Sequence, residues 1–168
     1  MDSALKNSIW QQFGASIDMF SDAIDLCPDE LWTAALWKDS DDPRYGQFWY
    51  IAYHTLSWMD LFFTGTQEGF APPPPFIRGK LPEKPYTKDQ IRAYLDRNRQ
   101  KCQETIMGLT DETANRICKF EWMEPSFLEL QLYSMRHVQE HGAQLNLMLG
   151  QHDITGMDWV AVARTKVS

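Results

Sequence analysis

From Ser3 to Leu26, the apolar side chains Leu5, Ile9, Phe13, Ile17, Phe20 and Ile24 recur every three or four residues, the step that gathers them on one face of an α-helix. This period, rather than the two-residue alternation of strands, recurs along the chain, so the fold must bury helix faces against other helices. Pro28 closes the first segment, and CPDELWTAALW reads as a short helical turn opened by Pro28, Asp29 and Glu30. A second helix spans about Gly46 to Thr64, with Ile51, His54, Trp58 and Leu61 on one face and Gly65 as its stop. Thr87 and Gln90 form a capping-box pair for a third, whose stripe of Ile91, Tyr94, Leu95, Cys102 and Ile106 runs through to Leu109. Pro125 fits the first turn of a fourth, which extends to Leu149 with Gly150 as its C-terminal cap. Helices of roughly twenty residues are about 30 Å long and pack as an all-α four-helix bundle.

Between the second and third helices, residues 65 to 86 carry Pro72 to Pro75, Pro82 and Pro85, which cannot sustain a helix. This long loop either covers a pocket or is an extended connection, and it leaves room for a crossover in place of strict up-and-down order. The length of 168 residues and 43% hydrophobic content fit a single domain over 1–168. A formal charge of -7, with no basic cluster, argues against nucleic acid as a ligand. MDSALKNSIW lacks the pattern of a secretory signal, and the most apolar run, Phe48 to Phe63, is interrupted by His54, Ser57 and Asp60. No membrane association is expected, and the chain reads as soluble and cytoplasmic. Cys27, Cys102 and Cys118 form no CxxC and read as reduced, packed thiols. Most of the seven tryptophans read as packing, with some lining a pocket.

The chemistry concentrates in RHVQEHGAQLNLML, where His137 and His141 lie four apart on a row with Tyr133 and Leu145 that should face the core. Two imidazoles at that spacing can converge on one ion at roughly 2.0 to 2.1 Å if it is zinc. His54, on the apolar face of the second helix, is the third candidate, and His152, past Gly150, reads as a solvated tail residue. A buried histidine hydrogen-bonded to a neighbour is the alternative for each. Gly142, inside the fourth helix, leaves space for a ligand or for close helix approach. Gln144, Tyr133 and Tyr50 are candidates to hydrogen-bond a metal-bound water, with simple packing as the alternative for each, while the helical angles of Glu140 and Asp60 put them off the ligand face, in solvated surface roles.

These residues resemble the DinB-like superfamily, which includes YfiT-like proteins. The resemblance rests on His54 within FWYIAYHTLSWMDLFF, on HVQEHGAQL, on CPDELW and on DWV at Asp158 to Val160, and it covers nearly the whole chain. It implies a four-helix bundle holding a divalent metal through His54, His137 and His141, often as a homodimer. Gln144 matches the polar residue that commonly follows the second histidine of the motif by three. Zinc or nickel is the expected ion, with iron or manganese as alternatives. Three neutral ligands leave an open position, which suits a metal-dependent hydrolase acting on a small molecule. Alternatives are a low-molecular-weight thiol S-transferase and a non-catalytic, metal-stabilised dimeric module.

Overall fold

A computed structural model describes residues 1–156 and 158–165, and the single-domain reading over 1–168 therefore includes residues outside those described. The four long amphipathic segments form α1 (Ser3–Leu26), α3 (Phe48–Phe62), α4 (Lys88–Met107) and α6 (Phe127–Gln151), with short helices α2 (Asp29–Trp32) and α5 (Asp111–Asn115) between them. Both α1 and α3 pack against α4 and α6, so the helices ring the core in the order α1, α4, α3, α6. Consecutive helices α1 and α3 thus stand on a diagonal, as do α4 and α6. The proline-rich loop joins neighbours; the shorter connections at 27–47 and 108–126 make the diagonal crossings.

Local chemistry sets the helix ends. Thr87 and Gln90 form the expected capping box at α4. At α6 the start lies two residues beyond the expected one: Ser126, not Pro125, caps the helix by accepting from the Glu129 N–H at 3.2 Å. The other end runs through Gly150 to Gln151, and His152 occupies the C-cap, exposed, its Nδ1 at 2.9 Å from the Met148 carbonyl. Gly65 does end the second helix's approach, with φ +74 three residues past α3.

The core is built from Trp10, Phe13, Ile17 and Phe20 of α1, Phe48, Trp49, Leu56 and Leu61 of α3, Ile91, Tyr94 and Ile106 of α4, and Leu130, Val138 and Leu145 of α6. Leu5 is the exception to its stripe and is exposed. Gly142 faces Phe20 of α1, where an added Cβ would sit 3.8 Å from the Phe20 Cα, so it serves close helix approach, not a ligand. Trp37, Trp122 and Trp159 are exposed, which limits the packing role to the remaining tryptophans. After α6 the chain returns along α1. The Ala163 N–H donates to the Gln11 carbonyl at 2.9 Å, and an added Cβ on Gly14 would fall 2.5 Å from that of Ala163.

Asp60 corrects the expectation of a solvated role. It is 3% exposed, accepts a hydrogen bond from Tyr94 at 2.9 Å and pairs with Lys101 at 2.5 Å, both from α4. The residue is off the ligand face as expected, but α3 is flanked by two helices and buries that second face too. Asp60→Ala would leave the Tyr94 hydroxyl buried without its acceptor, a loss of about 1–3 kcal/mol. A denaturation midpoint unchanged from wild type would contradict this account.

Candidate metal centre

Between α3 and α6 the three expected histidines meet. His137 Nε2 lies 3.2 Å from His54 Nε2 and 3.1 Å from His141 Nε2, and all three residues offer nitrogens within 4.8 Å of one another. Helical spacing aligns His137 and His141 on α6, and the α3–α6 packing brings His54 across the seam. The row was expected to face the core; Leu145 is fully buried, the histidines are half-buried, and Tyr133 at the outer end is exposed.

Hydrogen bonding alone does not satisfy this cluster. Gln144 Oε1 accepts from His141 Nδ1 at 2.7 Å, so the neutral ring turns a bare lone pair at Nε2 towards His137. If His137 carries its proton on Nδ1, its Nε2 opposes that lone pair. If it carries the proton on Nε2, that proton serves one of two neighbours, and the buried Nδ1, which has no partner, is left as an empty acceptor. A cation removes the conflict among the three Nε2 atoms, since it accepts from all their lone pairs at once; His137 then carries its proton on the buried Nδ1, which has no protein partner. Two bonds of about 2.0–2.1 Å at a tetrahedral angle separate their nitrogens by roughly 3.3 Å, close to the spacings found here. The three-histidine cluster can hold a metal ion.

Burial also favours the neutral form of His54 and His137. It pulls the pKa of His54 down to about 4, assisted by His141, and that of His137 down to about 3, assisted by His141 and His54. Neutral imidazoles are the form that binds metals.

Two cavities flank His54 and Trp58. The first, about 410 Å³, is lined by Tyr45, Tyr50, Ser57, Arg78 and Lys80 among others. The second, about 380 Å³, adds His137 and is walled by Phe62, Trp122 and Tyr133. No carboxylate lines either one. Glu140 stands away from both, beside Trp159, as its helical angle requires.

The family comparison agrees with this geometry: the sequence model described as the DinB superfamily matches residues 12–145. The chain belongs to the DinB superfamily. No curated protein and no solved structure matches it. This DinB-superfamily chain has no helix, among the described residues, long and apolar enough to cross a membrane.

The remaining candidates take separate positions in the DinB bundle. Gln144 accepts from His141 Nδ1, the ring nitrogen turned away from the cluster. Tyr133 packs edge-on to Phe62, at 5.4 Å between centroids, and walls the second cavity. Tyr50 lies 6.1 Å from His54 by the same measure; burial, then Tyr45 and Tyr53, push its pKa to about 12, so it remains a donor near neutrality. Burial raises Cys27 to about 12 and lifts Cys102 and Cys118, leaving all three free thiols protonated. Arg78 and Lys80 were missed in the sequence; a pair of cations within FIRGK, inside an otherwise proline-rich loop, was the available signal.

The depressed histidine pKa values fix a sign for metal-free protein. Below the ordinary value of 6.5 the unfolded chain takes up protons that folded His54 and His137 refuse until about 4 and 3, so stability is lost as pH falls through that window. The expected drop in Tm from about pH 7 to about pH 4.5 is smaller in His54→Phe than in wild type. Parallel Tm curves for the two proteins would show that His54 is not held neutral by burial.

Proposed function

We propose that this protein is a divalent-metal-dependent enzyme of hydrolase type that acts on a small molecule. The observation that carries the reading is the convergence of three Nε2 atoms with no hydrogen-bond pattern that satisfies them all. His54, His137 and His141 are the proposed ligands, with zinc or nickel the ions best suited to three nitrogens and iron or manganese next. When bound, such an ion supplies Lewis acidity, lowering the pKa of water or a thiol and polarising a carbonyl or phosphoryl oxygen.

The chain's own groups prepare that chemistry. Gln144 holds His141 in the tautomer that presents Nε2. Trp58, Phe62 and Trp122 keep one side of the site apolar, which strengthens electrostatic interactions there. Tyr50 and Ser57 offer hydroxyls on the other side.

One observation favours thiol S-transfer as a second reading. Two cavities share His54, which suits two co-substrates meeting at the ion, whereas hydrolysis needs room for one substrate and water. The buried cysteines cannot act as the nucleophile, so the thiol would come from solution. Its sulfur would form a bond to an electrophilic carbon as the leaving group departs with the bonding pair, and the thiol proton would pass to solvent.

A homodimer is part of the same reading, supported by exposed Leu132, Leu147 and Trp159.

Purified protein should contain about one divalent ion per chain, and His54→Ala, His137→Ala and His141→Ala should each remove most of it. Equal metal content in wild type and all three variants rejects the site. Gln144→Leu should weaken metal affinity by about 10–100-fold while leaving the fold intact. Chelation should abolish turnover of an ester panel, or of a panel pairing small thiols with electrophiles, while circular dichroism stays native. Unfolding on chelation with no turnover on either panel would instead support the structural module.

A further inference from the structure

The first cavity carries a feature that metal ligation does not use. The protein has 23 acidic and 16 basic residues, yet the charged side chains lining this cavity are Arg78 and Lys80, with no carboxylate among its walls. Neither cation has a carboxylate within ion-pair distance among the described residues. Both cations thus line an open chamber that offers no carboxylate to neutralise them.

Arg78 is also held in place. Its guanidinium lies over Trp58, 5.7 Å from the ring centroid, and over Phe70 at 5.6 Å, and one Nη donates to Gln67 at 3.2 Å. The preceding residue is fixed from both sides: the Tyr53 hydroxyl donates to the Ile77 carbonyl, and the Ile77 N–H donates to Tyr86 at 3.1 Å. Phe76 stacks on Tyr94 at 4.4 Å between centroids, anchoring this part of the loop in the core. Gly79, with φ +80, then turns the chain so that exposed Lys80 lines the same space. The hydroxyls of Tyr45, Tyr50 and Ser57 add possible donors around it.

We propose that Arg78 and Lys80 form an anion-recognition arm that binds a carboxylate or phosphate group of the small-molecule substrate and holds its reacting end towards His54. The guanidinium offers a planar fork that matches either group, and Lys80 adds a point charge at the rim. The proposal rests on the small-molecule enzyme reading for its substrate, but the arm itself needs no metal to bind an anion.

The test therefore uses the metal-free full chain. The indole N–H signal of Trp58, assigned through Trp58→Phe, is followed in ¹⁵N spectra during titration with glutarate, inorganic phosphate and neutral glutaramide. A saturable shift is expected with an anion and none with glutaramide; response to glutarate alone identifies a carboxylate site, and to phosphate alone a phosphoryl site. Arg78→Met should weaken binding at least about tenfold, the worth of one charge-assisted hydrogen bond. Lys80→Met, at an exposed position where folding is not at risk, should weaken it by a smaller factor. No shift with either anion, an equal shift with glutaramide, or unchanged affinity in a folded Arg78→Met or in Lys80→Met overturns the arm. A protein that binds the anion but takes up no divalent metal when it is supplied leaves the arm standing and counts against the metal-enzyme reading alone.

Discussion

The packing of α3 against α6 is the constraint on which the site depends. Each helix carries polar residues that would be poorly placed alone: one histidine between Tyr50 and Trp58 on α3, two histidines and a glutamine on α6. When the helices close, His54 and His137 lose water, and loss of water favours their neutral state. The same event aligns their Nε2 lone pairs. The closure that buries the core also brings the three nitrogens together, an arrangement that can hold a cation.

Around that rigid seam, the loop between α3 and α4 supplies what the helices lack. Helix faces offer only the side chains that their period permits, whereas a loop can bring charge to the rim of a cavity. Phe76 and Tyr86 anchor the loop among Tyr53 and Tyr94, and Trp32 Nε1 donates to the Tyr86 carbonyl at 2.8 Å. These contacts separate the loop's two tasks: its apolar side chains fix its path, and its cations remain available at the chamber.

The legible parts of the sequence were those set by local rules. Period 3.6 marked the four long helices, the Thr87–Gln90 box marked the start of α4, and the spacing of His137 and His141 marked a shared face. Asp60 shows where that reasoning stops. Its helical angle is legible in the sequence, but an angle does not reveal whether a helix has one packed neighbour or two, and α3 has α4 on the side away from the histidines. The diagonal order of helices was hidden for the same reason, since an apolar stripe has no address for its partner. Arg78 was hidden because the loop reaches the site only through tertiary contacts of Phe76, Ile77 and Tyr86.

Buried charge supplies the missing address. On α4, Arg99 pairs with Asp18 of α1 at 2.5 Å, and two residues on, Lys101 pairs with Asp60 of α3 at 2.5 Å. Residues two apart point to different sides of a helix, so this pair of cations directs α4 to stand between α1 and α3. Both acids are nearly inaccessible, which makes a mispaired arrangement costly because it would bury a carboxylate without its cation. Such pairs add little net stability over apolar residues of the same size; their effect is to penalise alternatives. With α4 seated between α1 and α3, the remaining shared groove lies on the opposite side of both helices, and α6 fills it. There, and in no other place around the ring, its histidines come to face His54.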